Sequence, residues 1–218
     1  MPHYVTLIES TSLDFPATLC HGALERSYPC IWAIGNLDIL KTRLVGFFCS
    51  TKCPGSVIVQ IYDLARALRD AGISVISGFH TPMERECLDL LLRGTQPVVI
   101  CPARNIERMR LPTAWRTPIV EGHLLILSPF SVPHRRPTAD LAEQRNLFVS
   151  ALASTVMIAH ASRGSKIDRL SAKIVASGKQ VYTLDLPENT GLMDQGVTGY
   201  AVIDLVDCIQ GQPVRIES

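Results

Sequence analysis

The sequence predicts an α/β fold: a Rossmann-like, mostly parallel sheet of about seven strands with helices on both faces. Three observations predict it. Short apolar runs rich in β-branched residues recur along the chain, amphipathic stretches separate them, and glycines close several of those stretches. A run that is apolar at nearly every position fits a strand covered on both faces. Strand–helix–strand repetition at this spacing implies right-handed crossovers and parallel pairing.

In chain order, residues 1–42 carry Pro16, Gly22 and Pro29 and show no clear period. They read as an N-terminal extension packed on the sheet edge, ahead of a Rossmann-like domain over 43–218. The strand candidates then follow: Leu44–Cys49, Ile73–Ile76, Pro97–Cys101, Leu124–Leu127, Val156–Ala159, Gln180–Leu184 and Ala201–Ile203. Helical patterns cover 56–71, 83–93, 138–153 and 165–177. In the first of these Ile58, Ile61, Ala65, Leu68 and Ala71 share a face. Gly72, Gly94 and Gly178 follow three of the helices as stops. Segment 102–122, with Pro102, Pro112 and Pro118, is a long crossover lying over one face, and 128–137 is an exposed loop.

With 218 residues there is room for one well-buried domain and not for two full ones. The 21 basic and 20 acidic side chains nearly cancel, so any surface for nucleic acid must be a local basic patch. No apolar stretch reaches the ~18 residues of a membrane span, and the first residues lack the regions of a signal peptide. The seven cysteines are odd in number and most lie in apolar runs, which fits buried reduced thiols in a cytoplasmic protein. No C-x-x-C pair is present, so no metal is expected, and no cofactor motif such as G-x-G-x-x-G or a Walker loop occurs.

Ligands of an open parallel sheet bind beyond the carboxyl ends of the strands, where helix N-termini offer unpaired N–H groups. Three turns fall there. Ser50-Thr51-Lys52 precedes a helix and suits an anion, or else a helix merely capped by Ser56. Gly78-Phe79-His80 follows the second strand, where Gly78 permits close backbone approach and His80 faces the crevice. In Thr81-Pro82-Met83-Glu84 a capping box accounts for Thr81 and Glu84, with Pro82 at the first helical position. The third turn, Arg163-Gly164-Ser165-Lys166, is the best phosphate site in the chain. Arg135, Arg136 and Arg145-Asn146 add charge upstream, the latter pair explicable as an exposed helix face. Phe79 could stack a base or pack beneath its turn. Cys49, His80 and His160 fall at strand ends, but nothing orders them into a nucleophilic pair, and no G-x-S-x-G elbow is present.

Taken together, these segments resemble the DprA/Smf family of DNA-processing proteins. The resemblance spans about residues 28–197 and begins with Tyr28-Pro29 and Ile34-Gly35-Asn36-Leu37. It continues through Cys49-Ser50-Thr51, Leu64–Leu68, Ala71-Gly72-Ile73, Ser77-Gly78, Arg145-Asn146 and Gly164-Ser165, and closes on Asn189–Gly196. Two positions depart from the family pattern. Thr51 stands where its G-S-R arginine would be, and His80–Glu84 replaces its A-R-G-I-D.

The resemblance implies a short form with only the Rossmann-like domain. It also implies non-catalytic binding of single-stranded DNA in recombination or DNA uptake, a homodimer, and a RecA-type recombinase as partner. The phosphate- and base-contacting set is then Ser50, Thr51, Lys52, Gly78, Phe79, His80, Arg145, Asn146, Arg163, Gly164, Ser165 and Lys166. A nucleotide-binding sensor or hydrolase of the related LOG type is the alternative, although the P-G-G-x-G-T signature is missing. A protein–protein adaptor is the third reading.

Overall fold

Along β3 (Val45–Cys49) successive side chains take opposite sides of the sheet, as the two-residue period of a strand requires: Val45, Phe47 and Cys49 enter one apolar layer and Phe48 the other. The same alternation runs through β4 (Val75–Ser77), β5 (Val98–Ile100), β6 (Leu124–Ser128), β7 (Thr155–His160) and β8 (Val181–Leu184). Both layers are dry, which is why these runs read as continuously apolar. The computed structural model describes residues 4–20, 27–131 and 138–212.

Two further strands, β1 (Thr6–Glu9) and β2 (Cys30–Gly35), join antiparallel at one edge, and β9 (Thr198–Tyr200) completes the other. The sheet order is β1-β2-β6-β5-β4-β3-β7-β8-β9, with parallel pairing from β6 to β9. Among the described residues the sheet therefore has nine strands rather than about seven. The N-terminal segment adds two strands to the sheet, and the flanking Pro29 obscures the strand character of the Cys30–Ile34 run. The apolar run Ala201–Ile203 is not a strand. It opens α8 (Val202–Gln210), in which Leu205, Val206 and Ile209 are buried, because a three-residue apolar run cannot distinguish strand from helix.

Helices cover both faces. α2 (Gly55–Asp70), α3 (Pro82–Leu91), α4 (Thr113–Val120) and α8 lie on one side, with α5 (Ala139–Leu152), α6 (Lys166–Ala176) and the single turns α1 (Ala17–Cys20) and α7 (Thr190–Met193) on the other. α2 buries Val57, Ile61, Leu64, Ala65 and Leu68, a stripe turned slightly from the predicted one, and ends at Gly72, whose φ of +70° is open to glycine. α4 supplies the cover in the long crossover, placing Trp115 and Ile119 on the sheet. The C-terminal carbonyls of α5 receive the ammonium of Lys179, which donates to Ser150, Ala151 and Ala153.

This topology fixes where a ligand can go. From β3 the chain moves outward through β4, β5 and β6, then returns to lay β7 on the opposite side of β3. The crossovers thus diverge at the β3–β7 pair, and a crevice opens beyond its carboxyl ends.

Candidate functional site

The turns after β3 and β7 are tied to each other. Ser50 N–H donates to His160 O at 2.9 Å, and the Ser50 hydroxyl lies 3.0 Å from that of Ser165 and accepts from Ser162 N–H. Ser162 Oγ in turn donates to Lys52 O at 3.1 Å. These bonds bring the first and third predicted turns into one wall. They enclose a cavity of about 600 Å³ lined by Ser50, Thr51, Lys52, His80, Glu84, Arg145, Asn146, Ser165 and Lys166 among others. Its volume is in the range of small-molecule sites.

The N-terminus of α6 forms one side. Ser165 caps it, accepting from Asp168 N–H, while the Asp168 carboxylate accepts from Gly164 N–H at 2.8 Å. The amides of Lys166 and Ile167 have no acceptor among the described residues, and both residues line the cavity. Lys52 and Lys166 are exposed and form no salt bridge among the described residues. The cavity therefore joins free helix-end amides to two unpaired ammonium groups.

The opposite wall is a buried charge cluster. Arg145 is only 4% exposed. Its Nε donates to Asn146 Oδ1 at 2.7 Å and its Nη1 to Cys101 O at 3.3 Å. It lies over Gly78, where a Cβ would come within 1.4 Å of Nη1. Glycine at this position makes room for the guanidinium. Facing it, Glu84 accepts from Cys49 N–H with one carboxylate oxygen and from His80 and Thr81 N–H with the other, at 2.8 to 3.2 Å. The capping box with Thr81, and Pro82 at the start of α3, are as the sequence suggests. Burial pushes the Glu84 carboxyl above its ordinary range, while Arg145 and the three amides pull it back; burial likewise pulls Arg145 down. His80 is held below its usual value by burial, then by Arg145 and Arg85.

Not every predicted residue reaches this place. Arg163 points away: its side chain is 83% exposed and pairs with Asp194 at 3.3 Å. Gly164 shapes the α6 cap with φ +74° and does not line the cavity. Phe79 is 5% exposed, packs in the layer beneath α2 and α3, and carries φ +45°, rare for a non-glycine residue. Most of its ring is taken up by packing beneath the turn, and the remainder borders the second cavity described below. Arg145 is not on an exposed helix face but on the apolar one. Ser56 does not cap α2: Pro54 holds that position, and the Ser56 hydroxyl donates to Glu188. Arg135 and Arg136 lie outside the described residues.

The Cys/His pairing finds no geometry. His160 Nδ1 is bonded to Asn189 Oδ1 at 2.9 Å, and the amide of Asn189 donates to Ala159 and Leu184 carbonyls. Cys49 is fully buried, and its bond to Cys53 followed by burial drives its thiol far above the ordinary range, so it stays protonated. Sequence reasoning missed the residues of a second cavity beside the first: Arg85, Arg104, Arg110, Met109 and Trp115. The signal available was the density of arginines in segment 102–122.

Comparison with solved structures finds the same architecture. DNA processing protein A from Helicobacter pylori, described for its single-stranded DNA binding mode, matches with a TM-score of 0.77 and 16% identity over 96% of this chain and 97% of that one. DNA processing protein A from Streptococcus pneumoniae matches with a TM-score of 0.75 and 16% identity, over 90% and 71% of the respective chains. The molybdenum cofactor binding protein of Rippkaea orientalis is more distant, with a TM-score of 0.54 and 11% identity over 78% of this chain and 96% of that one. At these identities the likeness shows the fold. No curated protein matches the chain. The family of DNA recombination-mediator protein A matches residues 6–193, covering both antiparallel edge strands, the buried Glu84–Arg145 cluster and the two turns that wall the cavity, and this chain belongs to it.

Proposed function

We propose that this protein binds single-stranded DNA without chemically altering it, gripping the strand's phosphates in the crevice between β3 and β7. The observation that carries the reading is the meeting of Lys52, Lys166, Arg145 and the free α6 amides in one cavity at the topological switch point. Ser50, Thr51, Asn146 and Ser165 supply polar contacts, and His80 sits at the rim. Family membership supports a role in recombination or DNA uptake, with a homodimer and a RecA-type recombinase as further parts of the proposal. Seven free cysteines, Cys20 among them exposed, fit a reducing cytoplasm. Among the described residues no helix is long and apolar enough to cross a membrane.

The test is fluorescence anisotropy of a labelled oligo-dT strand across a salt series. Wild type should bind with steep salt dependence. Lys52→Ala/Lys166→Ala should weaken binding and reduce the slope by about 1.4, at ~0.7 for each phosphate no longer neutralised. Arg163→Ala should leave the slope nearly unchanged, since its partner is Asp194. A shallow slope, with tight binding of a mononucleotide, would instead favour the nucleotide-sensor reading, for which the cavity's size is suitable.

A pH dependence follows from His80. In the free protein burial and the two arginines keep its ring neutral near pH 7. A bound phosphate offsets those charges and favours the imidazolium, so binding takes up a proton and tightens as pH falls toward the lowered free value of His80. His80→Gln should flatten that profile, and an unchanged profile in the variant would remove His80 from the phosphate's surroundings.

A further inference from the structure

The second cavity, of about 350 Å³, lies beyond the ends of β4 and β5. Gly78, His80, Ala103 and Arg145 border it, and three of these, His80, Ala103 and Arg145, also line the first cavity. The two are therefore neighbours on either side of one buried guanidinium. Its remaining lining combines two chemistries. Met109 and Trp115 are half-buried and apolar, while Arg85, Arg104 and Arg110 are exposed and form no salt bridge among the described residues. An indole that packs on the core and contributes its remaining surface to the cavity, beside unpaired guanidinium groups, suits a planar ring that carries a phosphate.

We propose that this second cavity is a nucleotide subsite, in which the base of a neighbouring nucleotide of the same strand stacks on Trp115 and its phosphate meets Arg104 and Arg110. The inference rests on the single-strand reading above and extends the strand's path from β3–β7 across β4 and β5. Arg145 is the divider: its hydrogen bonds to Asn146 and Cys101 use Nε and Nη1, and it borders both spaces. Base stacking here is tolerant of sequence, so the subsite would read spacing along the strand rather than base identity.

Trp115 makes the test direct: Trp32, the other tryptophan, is 8% exposed in the apolar cluster that Trp115 packs against and lines neither cavity, so Trp115→Phe assigns any change in emission. Tryptophan emission and the anisotropy of a dye-labelled oligo-dT are followed in the same titration. The expected result is quenching that tracks binding in wild type and is lost in Trp115→Phe, which still stacks and so keeps most of its affinity. Trp115→Ala should bind at least about fivefold more weakly. Arg104→Ala/Arg110→Ala, at exposed positions that leave the core intact, should weaken binding and lower the salt slope. If the oligonucleotide binds and Lys52→Ala/Lys166→Ala abolishes it, while emission stays constant and the arginine variant matches wild type, the subsite is overturned and the first cavity stands. No anisotropy change with any strand overturns both.

Discussion

Gly78→Ala is expected to behave as though Arg145 had been removed. The new Cβ would stand 1.4 Å from Nη1, 2.0 Å from Cζ and 2.6 Å from Nε, distances no side chain tolerates. Arg145 cannot swing aside cheaply, because it is 4% exposed and held by Asn146 and the Cys101 carbonyl. Expelling it breaks charge-assisted hydrogen bonds worth about 1.5–3 kcal/mol and removes the cation that offsets the burial of Glu84. It also removes the wall that both cavities share, so oligonucleotide binding should fall together with stability. The double variant Gly78→Ala/Arg145→Ala distinguishes this account from simple strain in the turn. With the guanidinium gone the clash is gone, so the double variant should be no less stable than Arg145→Ala alone, a large departure from additivity. Additive losses in the denaturant midpoints would sink the account.

The same pair marks where the sequence was legible and where it was not. The seven-strand parallel core, less its last member, follows from local periodicity, and the capping box at Thr81 follows from its own four residues. Each of these is decided within a few residues of itself. The antiparallel edge strands β1 and β2 depend on pairings between distant residues, such as Leu7 with Trp32 and Ala33 with Leu127, which no local pattern records. Arg145 is an intermediate case. Leu141, Arg145, Phe148, Val149 and Leu152 share the buried stripe of α5, so the arginine's inward direction was written in the helical spacing. What could not be read was its destination, since Cys101 and Gly78 reach it only through the sheet order. The arginines of the second cavity come from α3 and from the irregular start of the crossover, and only the folded chain separates Arg104 and Arg110 from Arg108 and Arg116.

Glu84→Ala is expected to destabilise the protein by about 2–4 kcal/mol. One carboxylate oxygen holds the amide of Cys49 at the end of β3, and the other holds those of His80 and Thr81 at the start of α3. Glu84 is 3% exposed. Truncation leaves the buried Cys49 N–H without an acceptor, at about 1–3 kcal/mol, and removes half of the capping box, at about 1 kcal/mol. It also removes the carboxylate whose charge offsets the burial of Arg145, which keeps its hydrogen bonds to Asn146 and the Cys101 carbonyl. Glu84→Gln separates these contributions. Its single carbonyl can satisfy Cys49 or the α3 amides but not both, and its NH₂ group turns toward whichever donors remain, so an intermediate loss is expected. Urea unfolding reads the result as a lower midpoint with an unchanged slope. Equal stability of Glu84→Ala and wild type would mean that the α3 N-terminus and β3 are not joined through this carboxylate, and that the wall between the two cavities is held in some other way.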